Sequence, residues 1–250
     1  MLKKRIIPTL LWKKIGVVKG EKFDSWRNVG SVMPSIKIYN RRDVDGLILL
    51  NIDETSRNVD PHYNLIKELC ENCFVPFYYG GGIKNIDQIY NLLKVGIDKI
   101  VINSLFYRDL DFLKQINKSF GRQFVVASID YKKIEDKYIC FSHNGKKNEK
   151  IEVIDWIREI EKIGVSEIIL TSIDHDGLMN GYDYEFIKKF SKNINSNLII
   201  SGGAGIPDDM LKAFQYAQVD AVAAASLFHF KEITPRECKL HLKANNINIR

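Results

Sequence analysis

No apolar run in this 250-residue chain reaches the roughly 18 residues a membrane-spanning helix needs, so the sequence gives no expectation of a membrane. Trp12 and the lysines around it cut the apolar stretch of the basic start too short for a secretion signal, and the expected location is cytoplasmic. Cysteine is scarce: Cys70, Cys73, Cys140 and Cys238. Cys70 and Cys73 form a CxxC, but no second pair or nearby histidine completes a zinc set, so the expectation is ordinary thiols and no metal. The formal charge is +6, yet Lys and Arg are interleaved with Asp and Glu and no long basic block stands out. Nucleic acid is therefore not expected, whereas phosphorylated small molecules or plain solubility account for the charge. No GxGxxG follows the first apolar run, which weakens a dinucleotide-binding, doubly wound sheet.

What is present is an alternation. Eight short apolar runs occupy 5–11, 46–51, 74–79, 99–103, 123–129, 167–171, 197–201 and 219–225. Being nearly continuous rather than alternating, they suit strands covered on both faces. Amphipathic segments separate them. NIDQIYNLLKVG places Ile86, Ile89, Tyr90 and Leu93 on one helical face, DPHYNLIKEL offers Asp60 as N-cap with Pro61 at the first helical position, and TPRE offers Thr234 and Glu237 as a capping box. Eight strand–helix units in this length predict a single (β/α)8 barrel over 1–250. Two insertions are expected: a prolonged loop over roughly 12–31, and a hairpin-like excursion over 133–153 with Asn144-Gly145 in its turn.

The chain also repeats itself. Ile52-Asp53 recurs as Ile173-Asp174 and Gly80-Gly81-Gly82 as Ser201-Gly202-Gly203, both 121 residues on; VINSLF at 101–106 recurs as AAASLF at 223–228. This predicts two half-barrels, about 1–120 and 121–250. Sites in such barrels lie at the C-terminal strand ends. Two glycine clusters there, each followed by a strand ending in Ser, point to paired anion pockets, since glycine lets backbone N–H groups approach a phosphate. A ligand with a phosphate at each end fits two such pockets; the competing reading is that the glycines only ease tight turns. The first and fifth runs are matched, but the fifth ends in Asp130 and the first in Leu11.

RIIPTLL, VVKG at 17–20, GGGI at 80–83, DKIVINS at 98–104, SIDYKK at 128–133, NGKKN at 144–148, LTSIDHDG at 170–177, SGGAG at 201–205 and AAASLFHF at 223–230 together resemble the HisF family, the cyclase subunit of imidazole glycerol phosphate synthase, over the whole chain. The resemblance implies a barrel with a HisH-like glutaminase docked on its N-terminal face and ammonia passing along the axis to a bis-phosphorylated substrate. It implies that Gly82, Asn103 and Ser104 hold one phosphate and that Asp176, Gly177, Gly203, Ala225 and Ser226 hold the other, with Lys19 helping. It further implies an ammonia entry ring of Arg5, Lys99 and Glu167, and a glutaminase contact at Asp98.

Three departures follow from the same comparison. The family's catalytic pair is an aspartate at the end of strand one and another at the end of strand five. Here Asp130 remains and Leu11 stands in the first place; leucine neither takes nor gives a proton. Asn51 stands where the family has an aspartate, and Gly46 takes the fourth ring position, which predicts a looser ring. The Ile-Pro-x-Leu-Leu start looks like a branch of paralogues that work with an ATP-dependent N-sugar amidotransferase in acetamidino modification of a bacterial surface sugar. A true cyclase of histidine biosynthesis and a scaffold that only activates the glutaminase remain as alternatives. His175 is expected as a loop histidine beside a phosphate pocket, His229 as a packed helix-start residue and Trp156 as core. Lys146 and Lys147 either close over a phosphate or solubilise a hairpin tip.

Overall fold

The computed structural model describes residues 3–14, 16–53 and 59–250. In chain order its strands are β1 (Arg5–Lys13), β2 (Gly16–Glu21), β3 (Asp24–Gly30), β4 (Leu47–Asn51), β5 (Phe77–Gly80), β6 (Lys99–Ile102), β7 (Val125–Ile134), β8 (Lys137–Ser142), β9 (Lys147–Glu152), β10 (Glu167–Ser172), β11 (Asn197–Ser201) and β12 (Ala221–Ala224). The helices are α1 (Val32–Tyr39), α2 (Tyr63–Glu71), α3 (Ile86–Lys94), α4 (Asp111–Phe120), α5 (Val153–Ile163), α6 (Tyr184–Phe190), α7 (Pro207–Tyr216), α8 (Ser226–Phe230) and α9 (Pro235–Ala244).

Eight of the strands pair in parallel in the order β1-β4-β5-β6-β7-β10-β11-β12 and close when β12 pairs with β1, Ile7 opposite Ala223. This is the expected (β/α)8 barrel, with helices between the strands. Closure leaves the eight parallel barrel strands no free edge and covers both their faces, which is why the runs read as continuous apolar segments. Side chains alternate along each strand. On β1, Ile6, Leu10 and Trp12 join the core between sheet and helices, while Ile7 joins the packed layer inside the barrel. That layer comprises Ile7, Ile48, Tyr78, Val101, Val126, Ile169, Ile199, Ala221 and Ala223. Alternate inward positions of β1 thus spell out the barrel axis: Arg5 at one mouth, Ile7 in the packed layer, then Thr9 and Leu11 on a cleft at the other mouth.

Several local expectations are corrected. The segment after β1 is not a loop but a β-hairpin, β2 against β1 and β3 against β2, with Leu11 opposite Val18. Its sequence hid this because the turn uses Lys22 and Phe23 at positive φ rather than glycine or asparagine. The third apolar run yields a strand only from Phe77; Phe74 is 82% exposed. On α3 the buried residues are Gln88, Ile89 and Leu92, and Tyr90 points outward beneath the Lys94 ammonium, 4.5 Å from its ring centre. Helix α2 starts two residues later than expected, with His62 at its N-cap; Asp60 instead accepts from Gln88 Nε2 at 2.6 Å. That tertiary bond buries Gln88 and takes the carboxylate a local cap would have used. The Thr234–Glu237 capping box forms on α9, and Trp156 packs as core, stacked on Tyr107 at 4.6 Å.

Candidate active site

The C-terminal strand ends surround a cleft of about 200 Å³. Two hairpins wall it: β2–β3, which follows the first barrel strand, contributes Phe23 and Trp26; β8–β9, which follows the fifth, contributes His143 and Asn144 at its turn. Asn144 Nδ2 donates to Ile52 O at 3.0 Å and the His143 N–H donates to Ser104 Oγ at 3.0 Å, so the second hairpin folds across the barrel mouth. The expected excursion is therefore a wall of the site. Lys147 pairs with Glu149 of its own hairpin at 2.8 Å.

Thr9, Ser128, Asp130, Thr171 and Ser201 line the polar side of the cleft. Asn103 Nδ2 donates to Asp130 Oδ2 at 2.7 Å. Burial, with the charge of Asp176 adding to it, raises the Asp130 carboxyl to about 7, against a lowering hydrogen bond from Thr171. Leu11 lies on the same cleft, next to Leu50, its registered partner on β4. With Ile52, Phe23 and Trp26 they make one side apolar, while the carboxyls that border the cleft are those of Asp130 and Asp176.

Lys19 is buried at the base of the first hairpin and donates to Thr9 O at 3.0 Å. Burial lowers it to about 7, opposed by the charge of Asp176; burial raises Asp176 to about 6, opposed by Lys19. Both groups are thus brought close to neutral pH by burial, each held back by the charge of the other.

Of the residues predicted for the phosphates, Gly82, Asn103 and Ser104 line the main cleft. Asp176, Gly177, Gly203, Ala225 and Ser226 come together in a smaller adjoining pocket, and Asp176 and Ala225 border both. The glycines also have a purely structural reason to be there. A Cβ on Gly81 would lie 2.1 Å from Asn51 O and one on Gly203 would lie 2.0 Å from Gly181 O, and both residues have φ of +110°. Asn103 uses its amide N–H on Asp130, and its Oδ1 is buried without a partner among the described residues, as is Thr9 Oγ1. Both residues border the cleft, so these acceptors suit donor groups of a ligand. Missing from the sequence reading are Lys84 and Arg108, which bring cationic side chains to the rim beside Gly82 and Ser104. The only signal was their position, just after the glycine run and the strand-six end. His175 Nδ1 lies 2.9 Å from Ser172 Oγ beside the smaller pocket, and His229 packs edge-on to Tyr39 at 6.4 Å.

At the opposite mouth Glu167, 1% exposed, receives Arg5 Nη2 and Lys99 Nζ, each at 2.7 Å. The Tyr78 ring lies against Gly46, and Arg5 Nη1 donates to the Tyr78 hydroxyl at 3.3 Å. Asp98, exposed on this face, accepts from the Phe77 N–H at 2.8 Å and so anchors the start of β5.

A closed parallel barrel with a polar, carboxyl-bearing cleft at its C-terminal strand ends places the chain among the (β/α)8 barrel proteins, whose sites lie at that rim. The family described as "Histidine biosynthesis protein" matches residues 5–234. The chain is 39% identical, over all 250 residues and the full length of the relative, to the imidazole glycerol phosphate synthase subunit HisF of Natranaerobius thermophilus. It is 40% identical to a Pseudomonas aeruginosa protein bearing the subunit name hisF2, covering 92% of each chain. It is 37% identical to a Vibrio vulnificus protein bearing the name hisF3, covering 92% of this chain and 90% of that one. The chain belongs to the HisF family of histidine-biosynthesis barrels.

Proposed function

We propose that this chain is the barrel subunit of a glutamine amidotransferase complex: a separate HisH-like glutaminase docks at the N-terminal mouth, and its ammonia travels along the axis to the C-terminal cleft. The observation that carries the reading is the cleft itself, in which Asp130 is retained while Leu11 stands where the cyclase pair needs its second carboxyl. Gly82 and Ser104 toward one end, with Lys84 and Arg108 at the rim, and Gly177, Gly203 and Ser226 toward the other support an anion at each end, with Lys19 buried behind the cleft on the Asp176 side. A ligand with two phosphates, or separate phosphate ions, suits that arrangement. Ring closure moves protons at two places on the intermediate, and one positioned acid–base group is worth about 10²–10⁴ in rate. On this reading the chain conducts and presents ammonia, and serves a third protein, an ATP-dependent N-sugar amidotransferase that makes acetamidino groups on a bacterial surface sugar.

A second reading, an authentic cyclase of histidine biosynthesis, draws support from full-length similarity to HisF subunits and from Asp130, whose raised carboxyl suits general acid–base work at neutral pH. A cyclase assay on the purified chain separates the two, with excess ammonium replacing the glutaminase and the ribulosyl formimino nucleotide of the histidine pathway as substrate. The first reading expects negligible turnover, partly restored by Leu11→Asp. Turnover by the unaltered chain at an ordinary enzymatic rate overturns it in favour of the second.

A further inference from the structure

The tip of the second hairpin is fixed over the cleft at two points. The His143 N–H donates to Ser104 Oγ at 3.0 Å, just after β6, and Asn144 Nδ2 donates to Ile52 O at 3.0 Å, just after β4. Strand β4 carries Leu50, the registered partner of Leu11, so the tip reaches the side of the cleft where Leu11 stands. Both tip residues have a left-handed backbone, φ +54° at His143 and +57° at Asn144, which histidine and asparagine adopt more readily than most residues. The His143 ring is held as well. Its Nδ1 lies 2.7 Å from Ser142 Oγ, and the Ser142 hydroxyl in turn bonds Glu149 Oε1. Lys147 Nζ pairs with the other oxygen of Glu149 at 2.8 Å, so this carboxylate is ionised and only accepts. Ser142 has one hydroxyl proton, which goes to Glu149, and its oxygen is left to accept from the ring. That places the imidazole proton on Nδ1. Nε2 therefore carries the lone pair, and it has no hydrogen bond among the described residues.

We propose that His143 is a proton acceptor of this cleft, its Nε2 left as a base by the Ser142–Glu149 chain on the other side of the ring. The proposal rests on the reading that ammonia is delivered to the cleft. Ammonia attacking an electrophilic carbon there forms a carbon–nitrogen bond with its lone pair, and the π electrons of that carbon move to the oxygen or nitrogen it was doubly bonded to. The attacking nitrogen now carries one proton too many: an N–H bond breaks and the proton passes to Nε2. The Asp130 carboxyl, held on the same cleft by Asn103, gives its proton to the atom that took the electrons. Both groups regain their starting forms by proton exchange with water, which reaches the exposed His143 directly. The imidazolium keeps its Nδ1–H on Ser142 and faces the Glu149 carboxylate through that hydroxyl, which stabilises its charge. A base at the hairpin tip thus stands in for the carboxyl that Leu11 does not supply.

The test uses the full chain with excess ammonium and the ribulosyl formimino nucleotide, the rate being read above a protein-free blank. Turnover should be slow but measurable, and should fall by about 10²-fold or to the blank in His143→Gln, the scale of one general base. Slow turnover that His143→Gln leaves unchanged overturns the proposal and leaves the amidotransferase reading standing, as does a rate for the unaltered chain no higher than the blank. Turnover at an ordinary enzymatic rate that His143→Gln abolishes upholds the proposal and overturns the reading that the chain serves a third protein; an ordinary rate indifferent to the substitution overturns both. The ring arrangement is decided without activity, by nitrogen NMR of the full chain carrying isotope-labelled histidine in alkaline buffer, the His143 signals being assigned by their loss in His143→Gln. The proton should sit on Nδ1, and Ser142→Ala should release it to Nε2. A proton on Nε2 in the unaltered chain refutes the proposal.

Discussion

Asn103 holds Asp130 by a 2.7 Å hydrogen bond from its side-chain amide, across the neighbouring ends of the fourth and fifth barrel strands. The carboxyl it orients faces the apolar wall headed by Leu11, and its value is raised to about 7 mainly by burial. Between about pH 4, where an unfolded aspartate titrates, and pH 7, the folded state keeps a proton that the unfolded state has released. Stability attributable to this group therefore falls as pH rises through that window. Asp130→Asn should raise the melting temperature at pH 8 and change it little near pH 4. A gain of the same size at both pH values would show that the carboxyl is not held protonated.

Lys19 and Asp176 make anion binding depend on pH in one direction. A phosphate beside Lys19 favours its charged form, and beside Asp176 it favours the neutral form, so binding takes up protons once pH exceeds about 6 to 7. Titration calorimetry with inorganic phosphate should give affinity that weakens steadily from pH 6 to pH 9. Lys19→Met should flatten part of that slope. Proton uptake is read from the dependence of the measured heat on the buffer's ionisation enthalpy.

A buried ion pair joins α9 to the start of the barrel. Asp45 accepts from Lys239 Nζ at 2.8 Å and from the Ile6 N–H at 2.8 Å, and both side chains are only 3% exposed. Removing Asp45 strands the Ile6 N–H and leaves Lys239 only the longer, exposed contact to Asp43 at 3.4 Å, so Asp45→Ala should cost toward the lower end of about 3–5 kcal/mol. Replacing both charges with apolar groups of similar volume should cost much less. Denaturant unfolding of the two variants provides the measurement.

The α3 cap is a local feature with a local cost. Asn85 accepts from the Gln88 N–H at 2.9 Å, and Asn85→Ala should lower stability by about 1 kcal/mol. Asn85→Ser should recover most of it. No change in phosphate affinity is expected for either variant, because Asn85 does not line the cleft.

The sequence by itself determined the barrel and the location of its site. Eight continuous apolar runs demand strands covered on both sides, and the register of the glycine clusters and Asp130 with strand ends placed the site on one rim. These are properties of short segments and of their spacing, so they survive without coordinates. Capping at Thr234 was legible for the same reason, since its bonds lie within four residues. Tertiary structure decided everything that depends on which segments meet. Asp60 serves Gln88 rather than its own helix; the lysine-rich stretch after the first strand becomes a wall of the cleft because Val17 and Val18 pair back onto it; and Asn103 turns to Asp130. Gly46 reads as a missing charge in a ring, and the residue whose ring lies against it is 32 positions away in sequence, in a run that reads as plain core. A side chain's neighbours across a barrel are set by strand register and closure, which periodicity along one strand does not encode.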